Sequence, residues 1–107
     1  STPQEIALQD VKRGIRMFDK LKTKIIGLVD NMSFFKGDDG KKYKIFGEGG
    51  VKKTAEEFKK KFLGEIPIYP EVGEQCDLGK PIVEHNPEHK ISKIFIDLAT
   101  TIKSTYM

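Results

Sequence analysis

The glycine-rich segment at residues 49–54, with the sequence GGVKKT, is the stretch that most resembles a phosphate-binding loop. Such a loop wraps phosphates with the backbone N–H groups of glycines and ends in Lys followed by Ser or Thr. Lys52 occupies the place of the last glycine, and a side chain there would obstruct the approach of the backbone to phosphate. The segment therefore predicts a joint between a loop and a helix. Weak anion affinity at that helix N-terminus stays open.

The candidate metal ligands are two histidines and one cysteine. His85 and His89 could ligate one metal only if both lay on one helix, and Pro87 predicts a helix that begins after His85. We therefore interpret them as surface histidines. Cys76 is the only cysteine, which excludes an internal disulfide and suits a reducing compartment. It is a candidate metal-binding thiol, and an incidental cysteine explains it equally well.

Asn31 and Pro67-Ile68 come at the ends of two short apolar segments. In an open parallel sheet, the carboxyl ends of the strands form the ligand crevice. An Asn amide there offers a donor and an acceptor to the edge of a base, and Pro67 with Ile68 offers an apolar wall. A strand-ending Asn and a strand-breaking Pro account for the same residues. On the residues alone, we favour this simpler explanation.

Helical and strand patterns alternate along the chain. A capping box at Thr2 and Glu5 predicts a helix to about Lys22, and Asn86-Pro87-Glu88 predicts the start of the last helix. The segments between them are predicted as a strand (24–30), a hairpin (about 34–46), a helix (51–62), a strand (63–68) and a loop or short helix (69–83). This alternation predicts an α/β fold with a parallel sheet.

Composition limits the function classes. The chain has 107 residues, a net charge of +3 and 37% hydrophobic residues, which fits one domain or part of one. The charge is too small to predict a nucleic-acid partner, and no apolar run approaches the roughly 20 residues that a membrane helix needs. Residues 36–61 carry nine basic and five acidic residues. A solvated face explains this segment better than a docking patch for an acidic partner.

Five segments, taken together and in order, resemble the C-terminal half of the Mrp/ApbC family of iron–sulfur cluster carrier P-loop ATPases, in the MinD-like superfamily. They lie at 1–4 (STPQ), 27–33 (GLVDNMS), 45–50 (IFGEGG), 63–68 (LGEIPI) and 79–82 (GKPI). The resemblance covers nearly the whole chain. It implies that residues 1–107 form the C-terminal part of a doubly wound, parallel-sheet P-loop NTPase domain without its Walker A half, with a small β-hairpin insertion at 33–46.

The resemblance also implies a function. The family binds and slowly hydrolyses ATP, and it transfers [4Fe–4S] clusters to apoproteins. Asn31 matches the base-contacting Asn of the family, and Pro67 and Ile68 match the segment beside the adenine. This part would supply the adenine side and the dimer surface. The phosphate-binding segments lie upstream in the family, so this chain alone should not hydrolyse ATP, and ATP with Mg²⁺ belongs to the full-length parent.

One departure from the family concerns the cluster. Most members have Cys-x-x-Cys in the stretch that corresponds to residues 35–42, and this chain has no cysteine there. Thiolates are the usual cluster ligands, so cluster binding at that place lacks its ligands, and Cys76 is the only thiol left. The sequence looks like the Cys-less branch of the family.

The implied partners are a second copy in a homodimer and apo iron–sulfur proteins as recipients, with no nucleic acid and no membrane. The implied location is the cytoplasm or an organelle matrix or stroma. Two alternatives stay open. One is a non-enzymatic interaction scaffold of the same fold that no longer binds a cluster. The other, a MinD-like positioning ATPase, is disfavoured because the sequence shows no C-terminal amphipathic membrane helix.

Overall fold

A computed structural model describes residues 1–106, so Met107, the last residue of the predicted domain, lies outside the described part. The fold is mixed α/β with a parallel pair of strands. Its elements are α1 (Glu5–Lys20), β1 (Leu28–Asn31), β2 (Phe35–Lys36), β3 (Lys42–Tyr43), α2 (Gly50–Glu57), β4 (Phe62–Ile66), α3 (Pro70–Asp77), α4 (Ile82–His85) and α5 (Lys90–Tyr106). The chain divides into two compact units, one over Ser1–Ile68 and one that begins at Tyr69.

The first unit is built on β1 and β4, which pair in parallel. The register sets Val29 opposite Gly64 and Asn31 opposite Ile66, after an irregularity between Leu28 and Val29. Helices α1 and α2 contact each other, and α2 contacts both strands. The buried core of this unit consists of Leu8, Ile15, Leu28, Val51 and Ala55. The expected order of a helix, a strand, a helix and a parallel strand is therefore present.

Helices α1 and α2 end in the same way, at residues that carry no stop signal. Lys22 and Lys59 adopt left-handed φ angles of 59° and 56°. After each, the next N–H reaches back to a carbonyl five residues earlier: Thr23 to Phe18 at 2.8 Å and Lys60 to Ala55 at 2.8 Å. This is the Schellman arrangement, which usually has glycine at the left-handed position. The predicted end of α2 at residue 62 is wrong for this reason.

Two other predicted features of the first unit are wrong. The Thr2 capping box is absent, because the Thr2 hydroxyl lies 3.3 Å from Gln4 Oε1 and no side chain within residues 1–106 caps α1. Strand β1 begins at Leu28, although the apolar run starts near residue 24. Ile25 instead packs against the core outside the strand ladder.

Between β1 and α2, strands β2 and β3 pair antiparallel, with Phe35 opposite Tyr43. The turn between them is closed by side chains. Asp39 accepts hydrogen bonds from the Tyr43 hydroxyl at 2.5 Å and from the Lys41 N–H at 2.9 Å. The Lys42 ammonium lies 4.5 Å from the centre of the Phe34 ring. The resulting hairpin lies within residues 33–46.

The second unit contains α3, α4 and α5. The last helix begins at Lys90, so the start predicted at Asn86-Pro87 is wrong. Asn86 forms a turn instead, because its carbonyl accepts hydrogen bonds from the His89 N–H and from the Ser92 hydroxyl. His89 caps the helix, with its Nδ1 accepting from the Ile91 N–H at 3.1 Å. Within residues 1–106, no helix has the length and apolar character needed to cross a membrane.

Candidate functional site

The ends of β1 and β4 bring Asn31 and Pro67 together. Asn31 is the last residue of β1, and its register partner Ile66 is the last residue of β4, so Pro67 follows directly. Asn31 is exposed, whereas Pro67 and Ile68 are half-buried. The structure therefore places all three predicted site residues at one edge of the parallel pair. This edge is formed by the carboxyl ends of the strands, where ligands of open α/β sheets bind.

The amide of Asn31 is held by its own turn. Its Oδ1 accepts the N–H of Met32 at 3.0 Å, and Met32 has a left-handed φ of 56°. The backbone N–H of Asn31 donates to the Ser1 carbonyl at 2.6 Å. With Oδ1 directed to the backbone, the Nδ2 group has no hydrogen-bond partner among residues 1–106 and is the free donor of this side chain. The amide is therefore oriented before any ligand arrives.

Beyond Asn31 the chain returns to the end of β4 through Ser33. The Ser33 N–H and hydroxyl both donate to the Ile66 carbonyl, at 3.0 and 3.3 Å. One step further, the Ile68 N–H donates to the Phe34 carbonyl at 2.7 Å. Ser33 is only 2% exposed. Sequence reasoning missed this residue, and the signal available was a small hydroxyl residue just after the predicted strand end.

A cavity of about 380 Å³ is lined by residues of β1, of β4 and of the segment that leads into α2. Asp30 lines it and is 4% exposed, and its Oδ1 has no hydrogen-bond partner in the described part of the chain. Burial raises the pKa of Asp30, the neighbouring Glu65 raises it further, and Lys44 lowers it. The other lining residues are Ser33, Lys44, Gly47, Glu48, Gly49, Lys52, Phe62, Gly64 and Glu65. Asp30 was not among the predicted site residues, because the apolar run around it indicated only a strand.

The glycine-rich segment forms the start of α2. Gly49 precedes the helix with a left-handed φ of 72°. A side chain at Gly50 would collide with Leu8 and would approach the Pro3 carbonyl to 3.1 Å. Lys52 and Thr54 lie on the helix itself, with the Thr54 hydroxyl donating to the Gly50 carbonyl at 2.8 Å. Gly50 therefore allows the close packing of α2 on α1, and Gly49 provides the left-handed turn before the helix.

The candidate metal ligands lie in the second unit. Cys76 is exposed on α3, His85 ends α4, and His89 caps α5, so the two histidines do not share one helix. His89 packs its ring edge-on against Tyr69, at 5.0 Å between ring centres. Among residues 1–106, no group of three or more His, Cys, Asp or Glu side chains is arranged to hold a metal ion. A further cavity of about 390 Å³ is lined by five residues of this unit, Gly79, Lys80, Pro81, Glu84 and His85.

Residues 1–103 match the ParA family described as NUBPL iron-transfer P-loop NTPase. The chain belongs to this family. The relatives that it resembles include an iron–sulfur cluster carrier protein of Aquifex aeolicus, 41% identical over 95% of this chain and 28% of the relative. The iron–sulfur cluster transfer protein NUBPL of Dictyostelium discoideum is 42% identical over 95% of this chain and 32% of that protein. The chain thus spans about a third of the length of these relatives.

A solved structure shares the fold. It is a nucleotide-binding protein from Archaeoglobus fulgidus in complex with ADP, 36% identical to this chain, with a TM-score of 0.65. The match covers 82% of this chain and 36% of that protein. The expected α/β fold of P-loop NTPases and the family resemblance are therefore both confirmed.

Proposed function

We propose that this chain is the adenine-binding portion of an iron–sulfur cluster carrier that binds ATP and delivers clusters to apoproteins. The observation that carries the proposal is the register of Asn31 with Ile66, which sets an oriented amide beside Pro67 and Ile68. Membership in the iron-transfer NTPase family supports the same function. The bound ADP of the Archaeoglobus protein supports a nucleotide as the ligand.

The chemistry of these residues suits the purine of a nucleotide. The Asn31 amide offers hydrogen bonds to the edge of the base, and its Nδ2 is free to donate. The half-buried Pro67 and Ile68 offer apolar contact to the face of the ring. Discrimination between adenine and guanine follows from such contacts, because a base that leaves the amide unpaired loses a hydrogen bond. This chain's own contribution is to bind and orient the base.

The phosphates and Mg²⁺ require residues that this stretch does not provide. The glycine-rich start of α2 packs against α1, and no metal-holding acidic group occurs within residues 1–106. Because the relatives are about three times as long as the matched stretch, we assign ATP hydrolysis to a longer protein of which this is a part. That protein would act as a homodimer, in the cytoplasm or an organelle matrix.

The test compares nucleotide binding by the full-length protein with that of its Asn31→Ala variant. Loss of one hydrogen bond to the base weakens ATP binding about two- to tenfold and reduces the preference for ATP over GTP. The matched control is Gln9→Ala, which removes an exposed amide from α1 and leaves both values unchanged. Unaltered ATP affinity in Asn31→Ala would remove Asn31 from the site. Failure of the unsubstituted protein to bind ATP would end the proposal.

A second candidate function is a scaffold of the same fold that carries no cluster. It is favoured by the hairpin, which has no cysteine and is closed by the bond between Asp39 and Tyr43. Here the cluster is cargo, and Cys76 is the one thiol that this stretch of the protein offers to it. Anaerobic reconstitution with iron and sulfide distinguishes the two functions. A stoichiometric cluster absorbance that Cys76→Ala abolishes excludes the scaffold, whereas no absorbance in a protein that binds ATP supports it.

A further inference from the structure

We propose that Ser33 is a positioning residue that fixes the separation between the Asn31 amide and the Pro67–Ile68 wall, and thereby the base specificity of the site. This inference rests on the proposed function of that site. Ser33 is buried and lies between the two halves of the site along the chain. It would act without touching the nucleotide, through the peptide group that carries Pro67.

The need for such a residue follows from Pro67 itself. Proline has no N–H, so the backbone at this point cannot be held by a hydrogen bond from Pro67. The segment is instead held by the groups on either side, the carbonyl of Ile66 and the N–H of Ile68. The Ile68 N–H donates to the Phe34 carbonyl at 2.7 Å, and the Ile66 carbonyl accepts both bonds of Ser33. Ser33 therefore supplies both hydrogen bonds to the Ile66 carbonyl that the described residues provide on this side of the wall.

The two bonds of Ser33 differ in what they require of the side chain. Its backbone N–H, 3.0 Å from the Ile66 carbonyl oxygen, would be available with any residue except proline. The hydroxyl, 3.3 Å from the same oxygen, depends on serine or a close substitute. The hydroxyl bond is what a substitution can remove while the backbone stays in place. A looser Ile66–Pro67 peptide would let the wall shift relative to Asn31.

The left-handed turn at Met32 explains how one short segment serves both sides of the site. It sends Asn31 to the surface and returns Ser33 to the buried side within two residues. The Asn31 Oδ1 accepts the Met32 N–H at 3.0 Å and so stabilises this turn. Asn31 and Ser33 are thus coupled through Met32, and their separation from Pro67 is set by one compact group of hydrogen bonds.

The experiment measures steady-state ATPase kinetics and ATP and GTP affinities of the full-length protein and its Ser33→Ala variant. We expect the preference for ATP over GTP to fall about two- to tenfold. The KM for ATP rises by a similar factor, and kcat stays within about twofold of the unsubstituted value. Ser33→Thr, which keeps the hydroxyl, restores the preference. The matched control is Thr54→Ala, which removes a hydroxyl bond of 2.8 Å at a position that is 2% exposed and leaves the preference intact.

The possible results separate this inference from the proposed function. If the unsubstituted protein does not bind ATP, both the proposed function and the role of Ser33 are refuted. If Asn31→Ala alters the preference for ATP over GTP and Ser33→Ala does not, the role of Ser33 alone is overturned. It is also overturned if Thr54→Ala reduces this preference as much as Ser33→Ala does. If Ser33→Ala does not fold, Ser33→Cys replaces it, because a thiol is a weak donor. A relaxed preference in Ser33→Cys supports the inference, and an unchanged one overturns it.

Discussion

Asp30 and Glu65 are register partners in the parallel pair of β1 and β4, and both line the same cavity. Asp30 is buried, whereas Glu65 is exposed. Burial first, and then the negative charge of Glu65, raises the pKa of Asp30 above its usual value of 3.8. Its Oδ1 receives no hydrogen bond from residues 1–106 that would compensate for the lost hydration. The ionised carboxylate is therefore a source of instability in the folded chain.

The first prediction is that Asp30→Asn raises the free energy of unfolding at neutral pH. The folded chain holds the Asp30 proton more tightly than the unfolded chain does, so stability falls as the pH rises from 3.8 through the raised pKa. The neutral amide of the variant has no such dependence, and the advantage of the variant disappears below pH 3.8. Denaturant titrations at pH values from below 3.8 to neutral measure the free energy of unfolding of the two proteins. Asp10→Asn, at an exposed site on α1, controls for the loss of one charge, and equal behaviour of the two variants would contradict the prediction.

The second prediction concerns Tyr43 and Asp39 in the hairpin. The Tyr43 hydroxyl donates to Asp39 Oδ2 at 2.5 Å, and this bond is the main cause of the lowered pKa of Asp39. Tyr43→Phe therefore moves the pKa of Asp39 up towards its usual value of 3.8. This bond stabilises the folded chain above the pKa that Asp39 has in the unfolded chain. The stabilisation is lost as the pH falls through the lowered pKa of the folded chain. Carboxyl-carbon NMR titration of Asp39 measures the shift, and identical titrations in the two proteins would refute it.

The third prediction compares two glycines. A Cβ at Gly27 would lie 2.6 Å from Leu63 Cγ, whereas at Gly14 it would meet nothing within 4 Å. Gly27→Ala therefore destabilises the chain by about 1–3 kcal/mol, because the Leu63 side chain on β4 must move away from the segment that precedes β1. Gly14→Ala, in the middle of α1, stabilises it by up to about 1 kcal/mol. Chemical denaturation measures both. If Gly27→Ala leaves the stability unchanged, the Leu63 side chain moves aside at no cost in free energy and the prediction is wrong.

The fourth prediction tests the left-handed lysines. Lys22 has a φ of 59°, a conformation that is unfavourable by about 1–2 kcal/mol for most residues and not for glycine. Lys22→Gly therefore stabilises the chain, although part of the gain is offset by the greater freedom of glycine in the unfolded state. Lys20→Gly, two residues earlier and at the last residue of α1, destabilises it by up to about 1 kcal/mol. Opposite signs in thermal melts support this account, and the same sign in both variants would disprove it.

These lysines also show why the element boundaries could not be read from the sequence. The apolar spacing predicted α1, α2 and the parallel strands, because burial of one face depends on local periodicity. Where α1 and α2 end depends on Lys22 and Lys59 taking a conformation that the residue type does not indicate. Likewise, Asn86 and Pro87 suggest a helix start, but the bond from Ser92 to the Asn86 carbonyl holds them in a turn.

The candidate site also contains some residues that could be predicted from the sequence and others that could not. Asn31 and Pro67 could be predicted to meet, because parallel strands of adjacent elements place their carboxyl ends at one edge. The parts played by Ser33 and Asp30 could not be predicted. Ser33 points inwards only because Met32 adopts a left-handed turn, and Asp30 is buried only because of the register of β1 beside β4. Both depend on tertiary geometry.

The bond from the Met32 N–H to the Asn31 Oδ1 has a thermodynamic consequence for ligand capture. A side chain that moves freely in the empty state loses rotational entropy when a ligand immobilises it, and this loss offsets the new contacts. Asn31 is exposed but already immobilised by its own backbone. A smaller part of the favourable enthalpy of its contact with a base is therefore offset by lost entropy. Calorimetry of nucleotide binding to the full-length protein should show a smaller entropic penalty than a mobile amide would produce.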